Sequence, residues 1–378
     1  MKIIFDRNRL DAAITPAMGC VSNKNTMAST EGILIETDGD HCILSAYDLE
    51  KGIRINVPAV IEEEGSYIIN AGKLNQIIRS MPENDVLIEV DRRNITKITS
   101  GKSSFELHAL KGEDFPNLPE LSVEEGFNIK QGELRSLIVK TLFAVAQNDQ
   151  RPALNGAFFK IENNTITVVS CDSNRLAVKK KYCEIERREN STALKFIIPG
   201  KTLGELIKLI DDSEEIITIR PVRKHVIFKI GELFFFSRLI DEEYIDYERF
   251  IPKNNKIFVK IHTGEFLKSL ERASLVTEDR SMGQTKSALR CSFEDNILSL
   301  SSVSVSGSFN DEIITEKEGA NIEIGFNCRF LLESMRACET EYVRLSLSTP
   351  LMSMIIEPAE KNPEDDFIYL VLPVKMKD

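Results

Sequence analysis

Val169-Ser170-Cys171-Asp172-Ser173-Asn174-Arg175-Leu176-Ala177-Val178 reads as a strand, a short polar turn at Asp172–Asn174, and a second strand. The stretch and its surroundings recur earlier in the chain. Asp172 has a counterpart in Asp48, within Leu44-Ser45-Ala46-Tyr47-Asp48. Gly156, in Asn155-Gly156-Ala157-Phe158, answers to Gly32 in Glu31-Gly32-Ile33-Leu34. Leu134, in Gly132-Glu133-Leu134-Arg135, answers to Leu10 in Asn8-Arg9-Leu10-Asp11. Each pair lies 124 positions apart. Three unrelated landmarks at one offset mark an internal duplication, and that decides the fold before any motif does.

At roughly 100–150 residues per domain, the 378 residues divide naturally into three. Composition is ordinary globular, 42% hydrophobic and 28% charged, which excludes a low-complexity or disordered chain. Charges in Met1-Lys2-Ile3-Ile4-Phe5-Asp6-Arg7 come too early for a secretory signal, and no apolar run approaches a membrane span. The expected compartment is the cytoplasm. Seven scattered cysteines without a CxxC fit reduced thiols. The four histidines are isolated from one another, so no metal or other cofactor is expected.

The repeats set the order of elements. Unit one, residues 1–122, has the strand Lys2–Asp6 and a helix over Arg7–Cys20, bent at Pro16. Strands follow at 32–37, 42–46, 53–57 and 67–70, then a helix over Lys73–Met81 that stops at Pro82. Strands at 86–90, 95–100 and 103–109 close it. Unit two, residues 123–252, repeats this order, with apolar stripes Leu134, Leu137, Ile138, Leu142 and Leu203, Leu206, Ile207, Ile210 on its two helices. Unit three, residues 253–378, is more diverged. Its predicted helices are Gly264–Thr277 and Arg329–Cys338, and strands are expected at 288–294, 297–303, 312–316 and 321–325, among others. Two helices and many strands per unit make the class α+β.

Net charge is −11, which taken whole argues against a nucleic-acid partner. The distribution says otherwise. The six predicted helices together are positive, so the acidic excess lies on strands and loops. The second helix of every unit has a cation near each end: Lys73 and Arg79, Lys201 and Lys208, Arg329 and Arg336. Helices of this kind suit a polyanion. Three like units suggest an arc with sheets outside and helices inside, which two chains associating head to tail would close.

With that order in place, the chain resembles the β subunit of bacterial DNA polymerase III, the sliding clamp, over essentially its whole length. The resemblance rests on Gly112-Glu113-Asp114-Phe115-Pro116-Asn117-Leu118, Arg151-Pro152-Ala153-Leu154-Asn155-Gly156, Asp172 to Val178, Asp246-Tyr247-Glu248-Arg249-Phe250-Ile251-Pro252, and Tyr369-Leu370-Val371-Leu372-Pro373-Val374. It implies three clamp-fold domains, a head-to-tail homodimeric ring around duplex DNA, and no catalytic activity. It also implies a groove for short peptides of the replicative polymerase, the clamp loader, and other polymerases and repair proteins. Carried over, the groove comprises Leu154, Cys171, Ser173, Asn174, Arg175, Leu176, Ile245, Arg249, Phe250, Ser353, Leu370, Leu372, Pro373 and Val374. Leu154, Leu176, Phe250 and Leu372 would be apolar walls, and Arg175 and Arg249 donors at the rim. DNA contact is expected at Lys24, Lys73, Arg79, Asn148, Arg151, Lys201 and Lys208. No membrane partner is expected.

This chain departs from the family pattern in places. Ser173-Asn174 stand where many members have Gly-His, Pro152-Ala153 where some have aromatics, and Ile245 where proline is frequent. Some members carry an acidic run at the subunit interface where Ser302 to Ser308 here read Ser-Val-Ser-Val-Ser-Gly-Ser. Apolar contact of Phe105 and Leu107 with Leu275 and Val276 is therefore expected to hold the dimer. Ser100-Gly101-Lys102-Ser103 lacks the first glycine of a phosphate loop and lies between strands, so a hairpin turn is expected. The competing reading is a nucleotide-metabolism enzyme on a repeated α+β scaffold. No nucleophile–base pair, phosphate loop or metal set supports it.

Overall fold

The Asp172 hairpin and its counterpart at Asp48 are built alike in the computed structural model, which describes residues 1–22, 27–124, 126–185, 193–277, 288–304 and 307–376. Asp172 accepts hydrogen bonds from the backbone N–H of Asn174 and Arg175, both at 3.1 Å, and from Arg175 Nε at 2.9 Å. Asp48 accepts from the N–H of Glu50 at 3.0 Å and of Lys51 at 2.8 Å, and from Lys51 Nζ at 2.6 Å. A short carboxylate bonding the backbone two and three residues on is what closes such turns. Each turn also holds a residue in the left-handed region, Leu49 at φ 74° and Ser173 at φ 73°. Gly32 and Gly156 open the strands Gly32–Asp38 and Gly156–Glu162. A Cβ at either would press on the adjoining strand, 3.0 Å from the Ile69 carbonyl and 2.6 Å from that of Ile198. Leu10 and Leu134 are both buried. The offset read in the sequence is a repeat of structure.

Six helices are described: α1 Arg7–Ala17, α2 Ala71–Ser80, α3 Gln131–Leu142, α4 Gly200–Leu209, α5 Thr263–Thr277 and α6 Cys328–Arg336. Three begin on a capping side chain that accepts a first-turn N–H: Asp6 from Arg9 at 2.9 Å, Asn70 from Lys73 at 3.0 Å, and Asn327 from Arg329 at 3.1 Å. Each lays an apolar stripe on a sheet, such as Leu74, Ile77 and Ile78 in α2 and Leu331, Leu332 and Met335 in α6. α1 ends three residues before the expected Cys20, where the chain tightens into a 3-10 turn over Met18–Cys20; Pro16 lies inside its last turn.

The chain divides into two compact units. One holds Met1–Gly132, Ile185–Glu189 and Gly204–Leu239; the other holds Glu133–Glu184, Asn190–Leu203 and Ile240–Asp378. They share the middle repeat because its two sheet edges join different neighbours. In the first unit, one twelve-stranded sheet pairs Lys51–Glu63 of repeat one with Leu233–Arg238, the closing strand of repeat two, in register from Ile55↔Leu233 to Lys51↔Ser237. In the second, a nine-stranded sheet pairs Arg175–Tyr182 of repeat two with Asp365–Val371, the closing strand of repeat three, from Arg175↔Val371 to Lys181↔Asp365. The two seams are equivalent: Lys51 and Arg175 begin equivalent strands 124 positions apart. The second unit also has a four-stranded sheet in the order Gly307–Ile314, Ile297–Ser304, Leu289–Glu294, Ile322–Phe326.

Strands depart from their predicted bounds in places: the one expected at 53–57 spans Lys51–Glu63. Glu312–Glu316 was expected; the strand runs Gly307–Ile314, with a short one at Glu316–Glu318. Gly307–Ile314 is an edge strand largely open to solvent, so Ser308, Asn310 and its two carboxylates never needed the clear alternation that marks a half-buried strand. Ser100 and Ser103 pair across a two-residue turn with Gly101 at φ 55°, the hairpin the sequence indicated.

Candidate peptide groove, helix cations and strand edges

The groove residues gather where the Asp172 turn meets the C-terminal strand, all within the second unit. Cys171, Leu176 and Leu370 stand in one cross-strand row. The Leu372 N–H donates to the Asn174 carbonyl at 2.9 Å, and the Val374 N–H to the Gly325 carbonyl at 2.8 Å. These bonds hold the tail across the end of the sheet. Leu154, Leu176 and Leu370 are buried rather than open walls. Val169, Leu176, Val178 and Leu370 form a small core, with Tyr244, Tyr247 and Ile251 of the preceding linker packed on it. The exposed apolar groups are Phe250 at 60%, Leu372 at 41% and Val374 at 37%. Ile245, Ser353 and Pro373 are half-buried, and Ser173 and Asn174 are exposed. Burial raises the pKa of the half-buried Cys171 thiol, so it is a weak nucleophile at neutral pH.

Arg175 does not offer its donors at the rim. Its guanidinium is buried, with Nε on Asp172 and Nη1 on Glu333, and it lies over the Phe330 and Phe143 rings at 4.6 and 5.4 Å. A buried guanidinium needs carboxylates and ring faces together, and this one has both. Glu333 also accepts from Arg329 Nε at 2.8 Å, which ties the hairpin turn to α6. No local signal marks this pair, because Glu333 lies 158 residues beyond Arg175. Arg249 does stand at the surface, its Nε 2.6 Å from Asp246. Leu351, 83% exposed, and Met352 were not anticipated either. They precede Met354, which pairs with Val371, so the register sets their loop beside Leu372.

Arg175→Ala would leave Asp172 and Glu333 without their buried cation. We expect it to cost about 3 kcal/mol, seen as a lower thermal midpoint. Burial opposes the Glu333 charge, yet hydrogen bonds from Arg329 and Arg175 outweigh it and its pKa is lowered from 4.5. Such a group stabilises above its unfolded pKa and loses that contribution as pH falls through the folded one. Acid unfolding of the unmodified protein should therefore include a component below pH 4.5 that Glu333→Gln removes.

Of the expected DNA contacts, Lys73 and Lys201 are exposed on the first turns of α2 and α4. Arg79 meets Asp11 at 3.1 Å and the Thr15 hydroxyl at 3.0 Å, and Lys208 meets Glu205 at 3.0 Å. Asn148 is exposed at φ 59°. Arg151 turns back instead: it pairs with Asp149 at 3.0 Å and donates to the Ser173 hydroxyl, beside the groove turn. Lys24 lies outside the described residues.

Among the strand edges that stand open in the described residues, two correspond to the two sides of the seams above. Ser103–Lys111 pairs along its length with Ile95–Ser100, but its other side meets a neighbour only at Ala109–Lys111. Ser103 to His108 are thus unpaired on that side, and Phe105 is 40% exposed there with Leu107 half-buried. Gly307–Ile314 pairs only with Ile297–Ser304. In the same unit Leu275 is 81% exposed and Val276 half-buried. All seven cysteines are free, and no group of three metal-ligating side chains occurs among the described residues. No described helix is long and apolar enough to cross a membrane.

A thrice-repeated α+β unit joined to its neighbours edge to edge defines the three-domain clamp fold. Models of the DNA polymerase III beta subunit match in sequence order: the N-terminal domain at residues 1–119, the central domain at 128–246 and the C-terminal domain at 248–375. The beta sliding clamp of Staphylococcus aureus (strain N315) is 30% identical, covering 99% of each chain. The crystal structure of the DNA polymerase sliding clamp from Bacillus subtilis superposes with a TM-score of 0.93 at 29% identity, over 100% of both chains. The DNA polymerase III subunit beta from Pseudomonas aeruginosa gives 0.89 at 27%, again over 100% of both. The chain belongs to the DNA polymerase III beta subunit family, the sliding clamps of DNA replication.

Proposed function

We propose that two copies of this chain close head to tail into a ring that encircles duplex DNA without sequence preference. The ring would tether the replicative polymerase, the clamp loader and other DNA-processing proteins through the groove. One observation carries the closure. Within the chain, the strand after the repeated turn pairs with the closing strand of the next repeat, once at Lys51–Glu63 and once at Arg175–Tyr182. Two strands of this kind lack such a partner: Gly307–Ile314 in repeat three, and Ser103–His108 in the closing strand of repeat one. A second copy supplies the third seam twice over and removes both open edges. Residues 1–122, 123–252 and 253–378 would be the three domains.

In this reading the chain meets DNA through Lys73, Arg79, Lys201 and Lys208 on its helices and Asn148 in the loop after α3. The Arg79 and Lys208 ion pairs are exposed, worth under about 1 kcal/mol, and phosphates can replace them. The protein performs no chemistry; it holds partners on DNA in the cytoplasm. Phosphate contacts release counterions, so direct affinity should be weak, independent of base sequence, and steeply salt-dependent. Retention then depends on topology. A ring loaded on nicked circular DNA should stay through a high-salt wash and leave when the circle is linearised. Equal retention on both forms would rule out encirclement.

A further inference from the structure

Alternate residues on one face of the nine-stranded sheet form three successive rows across its strands. Cys171, Leu176 and Leu370 belong to the groove. The next row, Phe158, Val169, Val178 and Ile368, is apolar. Tyr244 roofs it, stacked on Phe158 at 5.2 Å, together with Tyr247 and Ile251. The third row, Lys160, Thr167, Lys180 and Asp366, is polar. A cavity of about 350 Å³ opens over it, bounded also by Tyr247 and Glu248.

The charges there are unevenly matched. Lys160 lies 2.7 Å from Glu162 and is neutralised. Lys180 is exposed, and set against Asp366 and Glu248 it leaves the lining one negative charge in excess. Asp366 accepts the Phe367 N–H at 2.9 Å, but no cation stands within ion-pair distance among the described residues. Burial raises its pKa, the mark of a carboxylate short of compensation. Glu248 adds a second carboxylate at the mouth, and Tyr247 an aromatic wall.

We propose that this cavity is a second subsite of the peptide groove, taking a basic side chain, arginine or lysine, of the peptide whose apolar end occupies the first. This rests on the groove reading above. A guanidinium or ammonium would make charge-assisted hydrogen bonds to Asp366 and Glu248 and lie against the Tyr247 ring. Spacing is set by the sheet. Leu176 and Lys180 are four residues apart on one strand, about 13 Å at ~3.3 Å per residue. The Tyr244–Ile251 linker covers the row between them, so a peptide that passes over it needs at least about four residues between its apolar anchor and its base.

Calorimetry on the full-length protein tests this with an apolar-ended peptide alone and with the same peptide extended, at either end, by a spacer of about four to eight residues and arginine or citrulline. Arginine at one end should bind about tenfold tighter than citrulline there. Asp366→Asn should erase that gain and leave the unextended peptide unchanged. Glu248→Gln, on an exposed side chain that folding does not need, should reduce the gain about threefold. Arginine and citrulline within about twofold of each other at both ends would overturn the subsite while leaving the groove intact. An unaffected gain in Glu248→Gln would do the same. Failure of the unextended peptide to bind would remove both.

Discussion

Leu275→Asp should convert the proposed dimer to a monomer, as should Phe105→Asp. Leu275 is 81% exposed in the single chain, so the change costs the fold little. In the closed ring it would place an unpaired carboxylate against Phe105 and Leu107 of the partner subunit. An uncompensated buried charge costs about 3 kcal/mol or more. A head-to-tail ring has two such contacts, so the dissociation constant should rise about ten-thousandfold. Size-exclusion chromatography with light scattering reads this directly. An unchanged mass for both variants would remove these residues from the interface.

Deleting Leu372–Asp378 should abolish binding of an apolar-ended peptide and leave the dimer intact. The tail contributes exposed Leu372 and Val374, held by the Asn174 and Gly325 carbonyls. Gly325 lies on Ile322–Phe326, at the opposite edge of the four-stranded sheet from Gly307–Ile314. Losing the tail therefore spares the strand proposed to join the partner subunit. Phe250→Ala is the gentler companion: its side chain is 60% exposed, so stability should hold, while affinity should fall by about 2 kcal/mol, some thirtyfold. Calorimetry with a polymerase tail peptide measures both. Unchanged affinity in the truncated protein would falsify the groove assignment and leave the ring standing.

The fold was legible where burial imposes a pattern. The Asp172 hairpin has its strands half or fully buried, and its turn needs a carboxylate bonding ahead. The same needs at Asp48 recreate the same letters 124 positions earlier. Solvent erased the pattern elsewhere. Gly307–Ile314 is exposed along most of its length, and nothing in its sequence distinguishes it from a loop. Within the candidate groove, which side chains are buried was not legible. Which residues become floor depends on the roof, and the roof is the linker over Tyr244–Ile251, far from Leu176 in sequence. Arg175 turned inward because Glu333, Phe143 and Phe330 converge on it from distant parts of the chain.

Sedimentation equilibrium of the unmodified protein through the low micromolar range tests head-to-tail closure most directly. The open edges at Ser103–His108 and Gly307–Ile314 predict a single species of twice the 42.7 kDa chain mass. A monomer across that whole range would contradict the ring.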